Sequence, residues 1–388
     1  MSNAAQTVAA IGLTVALVLT STQAGRTQQT LSALPTVAAA PADNPTTPDK
    51  VELGRLLFWD PILSGQQDVA CATCHHPDFG YAENLDVSIG TSGIGLGASR
   101  RFAPGSTTPH VKRNSQTILN AAFNGIDAAG RYDPVRAPMF WDARVQSLEA
   151  QSLEPIKTLE EMRGGAHTKD AALDVVVARL SANADYQARF AKAFGGPNPV
   201  SATNLGRALA AFERTLVAAN APFDRYVRGD ESAMTPLQVQ GMRRFERAGC
   251  ANCHSGPMFS DFKVHVLGIA DNPKVPESDA GVDGAYAFRT ATLRNLVYTA
   301  PYMHSGVFRT LDEVVQFYDN PGGRRRRGGA TRNANVTRDE LDPLLRQLNM
   351  RGGRRDLVAF LQALSDDSFD RTIPAAVPSG LTVGGTIQ

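Results

Sequence analysis

The sequence predicts a mainly helical fold in two halves, and three observations carry that expectation. Two copies of a C-x-x-C-H motif, Cys71-Ala72-Thr73-Cys74-His75 and Cys250-Ala251-Asn252-Cys253-His254, fall one in each half of the 388-residue chain. Several segments place apolar residues three and four apart, the spacing of one helical face, while strand-like alternation is sparse. A chain of this length also exceeds a single typical core, so two domains are expected.

C-x-x-C-H is the attachment signature of c-type haem. Two thiols bond covalently to the porphyrin vinyl groups, and the adjacent imidazole takes an axial position on the iron. The chain has four cysteines, and both motifs together use all of them. A zinc site, a dithiol redox pair or two disulfides would not require a His directly after each pair. Two covalently bound haem c groups are therefore predicted, the first on Cys71, Cys74 and His75, the second on Cys250, Cys253 and His254. Charge is balanced, with 39 basic and 38 acidic residues, so nothing favours nucleic acid as a partner.

Taken in order, an apolar run from Val8 to Leu19 precedes Thr22-Gln23-Ala24, and residues 1–24 read as a secretory signal peptide, with an uncleaved membrane anchor as the alternative. Residues 25–48, rich in Thr, Ala, Gln and Pro, read as a flexible tether. Val51 to Phe58 has helical spacing and stops at Asp60-Pro61. Gly90 to Gly97 and Pro104 to Pro109 form a long loop, the kind that is functional or disordered inside a compact domain. Helices are expected over Ala171–Phe194, Asn204–Ala218 and Thr235–Ala248, the last leading into the second motif. The Gly-Gly-Pro-Asn-Pro run near residue 200 marks a domain boundary.

Thr310-Leu311-Asp312-Glu313 is a capping box opening a helix to about Asp319, which turns Tyr318 onto the same face as Leu311, Val314 and Val315. Arg324 to Arg327 is a basic cluster, read as a solvated loop or a dock for an acidic partner. Leu357–Leu364 is a last amphipathic helix. The expected organisation is a first haem domain over 49–200, a second over 201–370 and a tail over 371–388.

The order of motifs resembles the bacterial di-haem cytochrome c peroxidase and MauG family over residues 50 to 365. The resemblance rests on Leu53-Gly-Arg-Leu-Leu-Phe-Trp-Asp-Pro61, both haem motifs, Arg113-Asn-Ser-Gln-Thr117, Phe140-Trp-Asp-Ala-Arg144, and Thr292-Leu-Arg-Asn-Leu296 running into Ala300-Pro-Tyr-Met-His304-Ser-Gly306. It implies two c-type cytochrome-like helical domains with an interface between the haems. It also implies a peroxidatic site at the first haem, with His75 proximal, and an electron-transfer centre at the second, with His254 proximal.

Where many family members carry a distal His on the first iron, this sequence has Thr91, which implies an open iron as in MauG-like members. His110 is the one replacement ligand to weigh, since His76 adjoins the proximal ligand. Gln151 and Glu161 fall on the family's distal Gln and Glu. Glu161 is the acid-base candidate and Glu160 its backup, although Thr158-Leu159-Glu160-Glu161 also reads as a capping box. Tyr318 falls where the second iron takes a distal Met in other members, with Met303 and Met258 as weaker alternatives. Trp141 matches the Trp between the haems.

A calcium ion is implied at that interface, with Asn114 and the carbonyls of Thr299 and Pro301 as ligands. His265 and His304 are expected to bond haem propionates or structural groups, and His167 lies on the surface. The resemblance thus implies a periplasmic oxidoreductase that reacts with hydrogen peroxide. Electrons come from a small cytochrome c or cupredoxin, or from a protein substrate, and a homodimer is possible. A non-catalytic di-haem electron carrier is the alternative.

Overall fold

The computed structural model describes residues 31–319, 332–350 and 352–387. The segment 1–24 expected to be a signal peptide and the Arg324–Arg327 cluster lie outside the described residues.

Eleven α-helices and three two-stranded antiparallel hairpins appear among the described residues. Helix α1 (Pro48–Trp59) starts where the Thr47 side chain accepts from the Lys50 amide and Pro48 takes the first turn. It ends at Asp60, before Pro61, and buries Leu53, Leu56, Leu57 and Phe58. The first haem motif forms α2 (Cys71–Cys74). The hairpin β1 (Gly93–Ile94) with β2 (Arg101–Phe102) follows, then β3 (Pro138–Met139) with β4 (Val145–Gln146). Two short helices, α3 (Leu148–Gln151) and α4 (Glu154–Lys157), lead into a wide π-helical turn over Leu159–Arg163.

The expected helix over Ala171–Phe194 is two, α5 (Ala172–Ala182) and α6 (Ala184–Phe194). Asn183 separates them because its side chain caps the second by accepting from the Tyr186 amide. Helix α7 (Ala202–Glu213) is capped by Ser201, and α8 spans Pro222–Val227. Helix α9 (Pro236–Arg247) opens with a Thr235/Gln238 capping box and delivers the second motif. After β5 (Val264–Val266) and β6 (Ala287–Arg289) come α10 (Leu311–Asp319) and α11 (Arg354–Gln362). The Thr310 capping box forms: Glu313 accepts from the Thr310 amide at 3.0 Å, and the Thr310 hydroxyl accepts from the Glu313 amide at 3.2 Å.

Each half repeats one packing device. A Cβ on Gly54 of α1 would stand 2.0 Å from the Ala208 carbonyl of α7, and one on Gly241 of α9 would stand 2.0 Å from the Asp356 carbonyl of α11. Only glycine lets either helix pair come so close. The partner helix then presents a phenylalanine, Phe212 or Phe360, beside that glycine. In each half the crossed pair backs the helix or turn that carries the cysteines.

Three features of the expected organisation differ. Residues 195–200 do not part the cores, because Leu205, Leu209, Phe212 and Leu216 sit in the same apolar cluster as α1. The first half therefore extends through α7. The segment expected as a tether is packed from Leu31 onward. Leu34 is buried, its amide donates to Asp224 at 2.9 Å, and further on the buried Asn44 donates to Glu149 at 2.8 Å. Short irregular segments can be fixed by such bonds without any helical pattern to announce them.

Of the expected tail 371–388, the described residues to 387 also pack, but onto the first half. The Ser379 hydroxyl donates to the buried Asp60 at 2.6 Å, and the Gly384 amide to the Trp59 carbonyl at 2.8 Å. A fully buried ion pair, Arg294 to Asp224 at 2.6 Å, anchors the second half. Removing one member of such a pair typically costs about 3–5 kcal/mol, because the other charge is left uncompensated.

Candidate functional site

A single continuous cavity of about 520 Å³ runs between the halves, and all four cysteines, His75 and His254 line it. The two histidines are oriented alike. His75 Nδ1 meets the Tyr81 carbonyl at 3.0 Å and His254 Nδ1 meets the Phe259 carbonyl at 2.9 Å. A carbonyl can only accept, so each Nδ1 carries the proton and each Nε2 is left as the unprotonated, metal-binding nitrogen. Burial also holds both imidazoles below their usual pKa, which keeps them neutral.

On the far side of the first motif, Glu161, Glu160, Gln151 and Pro155 line the cavity. Glu161 sits on the π-helical turn. The capping box read at Thr158 does not form, since the Thr158 hydroxyl donates to the Glu154 carbonyl and makes no cap. The Glu161 carboxyl is thus free of that duty. Burial, then the charge of Glu160, push it up to about 7, against the opposing field of Arg144. Its backbone is clamped: the Thr91 amide donates to the Glu161 carbonyl at 2.8 Å, and a Cβ on Gly90 would stand 2.2 Å from that oxygen.

Thr91 is wholly buried, but its hydroxyl donates to Asp68 at 3.0 Å, and it is not among the residues lining the cavity. Nor is His110, which packs edge-on against Phe102 with ring centroids 4.9 Å apart. His76 is buried against Trp59. Thr91, His110 and His76 thus all lie off the cavity wall.

At the other end, Tyr318 lines the cavity with Cys250 and Cys253. Burial, then the fields of Cys253 and Cys250, raise its phenol above the ordinary tyrosine range. Met303 and Met258 line the cavity too, but Met258 packs into a separate cluster with Leu34, Phe123 and Ile126. His265 has Nδ1 2.6 Å from Asp342 and Nε2 3.0 Å from Asp261, so both ring nitrogens are engaged.

Trp141 also lines the cavity; its indole N–H donates to the Asn114 carbonyl at 2.9 Å and its carbonyl accepts from the Arg289 amide at 2.6 Å. His304 lies edge-on to it at 6.3 Å and stacks on Phe288 at 3.6 Å. Burial lowers the His304 pKa to about 4, and its Nε2 has no protein partner. Asn114, Thr299 and Pro301 all line the same cavity. The Asn114 amide nitrogen donates to the Leu85 carbonyl at 2.8 Å, which leaves the side-chain oxygen as the end able to meet a cation.

The family profile described as di-haem cytochrome c peroxidase matches residues 48–232. The methylamine utilization protein MauG of Methylorubrum extorquens is 35% identical over 362 residues, covering 90% of each chain. The chain belongs to the di-haem cytochrome c peroxidase and MauG family. Cytochrome c551 peroxidase of Pseudomonas aeruginosa is 32% identical over 287 residues, covering 71% of this chain and 73% of that one. The crystal structure of a MauG-like protein associated with microbial copper homeostasis superimposes with a TM-score of 0.69 at 28% identity, covering 87% of this chain and 94% of the other.

As a member of this family the chain is an oxidoreductase of peroxidase type with two covalently bound haem c groups. Its own residues suit them. Four reduced thiols and two imidazoles with pre-set tautomers open on one cavity, and its wall holds polar atoms that the protein leaves unpartnered, His304 Nε2 and Glu213 Oε2.

Several wall residues carried no assignment in the sequence. Glu213 is the plainest: it stands four residues after Leu209, on the apolar face of α7, where an acid is out of place. That misplacement was the available signal. Arg144 on the same wall gave none, since it acts through Asp142 and the field at Glu161, and neither did Asp68, which lies behind the wall and acts through bonds to a distant loop.

Proposed function

We propose that this family member reacts with hydrogen peroxide at the haem carried by Cys71, Cys74 and His75, and draws the electrons through the haem carried by Cys250, Cys253 and His254. The observation that carries the reading is the pairing of a raised Glu161 carboxyl on the cavity wall with a distal loop whose Thr91 and His110 face elsewhere. When bound, the first haem supplies an iron able to take peroxide and the redox chemistry of breaking the O–O bond. Glu161 accepts the proton of one peroxide oxygen and hands it to the other, the task for which a carboxyl poised near neutrality is suited. Gln151 orients peroxide or its product water by hydrogen bonds, and Pro155 keeps that wall dry.

Tyr318, on the cavity wall beside Cys250 and Cys253, would hold the iron of the second haem, and a hard phenolate there would favour the ferric state and lower the potential. Burial opposes ionising this phenol, so the metal must provide the driving force. Trp141 connects the two ends, and Asn114 with the Thr299 and Pro301 carbonyls binds calcium between them. The combination is MauG-like, in which a partner protein's own side chains are oxidised. A small cytochrome c or cupredoxin donor is the other partner class. Covalent haem attachment supports a periplasmic location.

Low-temperature EPR of the ferric holoprotein, followed by hydrogen peroxide, tests the reading. A high-spin signal that peroxide consumes is expected. A purely low-spin spectrum that peroxide leaves unchanged, even after partial reduction, would make the protein an electron carrier.

A further inference from the structure

The loop Ser88–Gly95 above the first haem motif is held from both sides. Arg100, itself buried, donates to the carbonyls of Ile89, Gly90 and Gly95, the latter two at 2.7 and 2.9 Å. Asp68 accepts from the Thr91 hydroxyl at 3.0 Å and from the Ser92 amide at 2.8 Å. The third hold comes from almost 300 residues away. The Thr386 hydroxyl donates to the Gly93 carbonyl at 2.6 Å, the Gly95 amide donates to the Thr386 carbonyl at 2.9 Å, and the Thr386 amide donates to the Asp68 carbonyl at 2.9 Å.

Thr386 therefore spends every backbone and side-chain polar group on the loop and on the residue that pins it. Its neighbours bind the haem-attachment helix and the residues leading into it: Gly385 bridges to Val69, just before α2, and the Thr73 hydroxyl of α2 donates to the Gly384 carbonyl at 3.2 Å. A Cβ on Gly385 would stand 2.1 Å from the Asp68 carbonyl. Three adjacent residues thus join the attachment helix, Asp68 and the distal loop into one body.

We infer that residues 384–386 are a clasp: positioning residues that hold the distal loop of the first haem with Thr91 turned onto Asp68 and its backbone against Glu161. The clasp rests on the assignment of this loop as the distal side of the first haem. It fixes the open face from behind, without touching peroxide. A loop held this way does not swing a residue onto the iron when the redox state of the protein changes.

Two full-length holoprotein variants test it by amide hydrogen exchange at Ser92 and Gly95 and by EPR of the first haem. Thr386→Val removes one donor, and exchange at these amides should rise about fivefold, the factor that corresponds to one hydrogen bond of about 1 kcal/mol. Gly385→Ala forces the segment off Asp68 and should raise exchange further and split the first-haem signal into more than one species, with the second-haem signal intact. Exchange and EPR unchanged in both variants would overturn the clasp. A wild-type protein that ignores peroxide would sink the peroxidatic reading alone, because exchange at the loop is measured without peroxide.

Discussion

The Thr91 hydroxyl donates to the Asp68 carboxylate at 3.0 Å, so this side chain is turned away from the cavity. This hydroxyl is a structural donor. Thr91→Val should lower stability by about 1 kcal/mol, the usual net worth of a hydrogen bond, and leave the high-spin character of the first haem in place. Denaturant titration beside EPR checks both halves. Loss of the high-spin signal in this variant would mean that the hydroxyl itself governs the iron.

Glu161 gives a pH signature. Its carboxyl titrates at about 7, so the proton-accepting form grows as pH rises through that value. The rate of peroxide reaction should climb between pH 6 and 8 and then level off. Glu161→Gln should lose about 10²–10⁴-fold in rate, the range for a positioned acid-base group, and its profile should be flat. Stopped-flow mixing with hydrogen peroxide across pH measures this. A sloped profile in the variant would move the role to Glu160.

Tyr318→Phe removes the proposed phenolate, and the reduction potential of the second haem should rise. Spectroelectrochemical titration reads the shift, and an unaltered second-haem spectrum would withdraw Tyr318 as a ligand.

Glu213 links stability to pH. Its folded pKa is raised by burial to about 8 from an ordinary 4.5, so the folded state keeps a proton that the unfolded chain releases. Its contribution therefore becomes less favourable as pH climbs from about 4.5, and levels off above about 8. Glu213→Gln should gain on the wild type over that window by a few kcal/mol at most, since one pH unit is worth about 1.4 kcal/mol. Urea midpoints of the holoprotein at pH 5 and pH 9 settle the sign.

The paired glycines should fail separately. Gly54→Ala and Gly241→Ala each drive a methyl into a carbonyl of the facing helix, an overpacking that costs about 1–3 kcal/mol. The first should disturb the spectrum of the first haem and the second that of the other.

Much of this was open to sequence reading, because haem attachment needs covalent ligands at fixed spacing and helix starts need particular donors and acceptors. Both motifs, the Thr310 box and the inward face of Tyr318 are cases of that. The Thr158 box failed for a reason of the same kind: its hydroxyl found the Glu154 carbonyl first, and the chain widened into a π-turn. What stayed hidden was long-range. Leu34 with Asp224, Thr386 with Asp68 and α7 with α1 are partners that no local periodicity encodes.

The segments flanking the two halves each reach the half more distant in sequence. Leu31 and Leu34 help to cover the second half, while Ser379 to Thr386 complete the first. Neither half can thus be finished from its own contiguous stretch of chain. Cutting between them would strip a cover from each, so the holoprotein should melt as a single cooperative unit, and a haem lost from one side should be felt as lowered protection on the other.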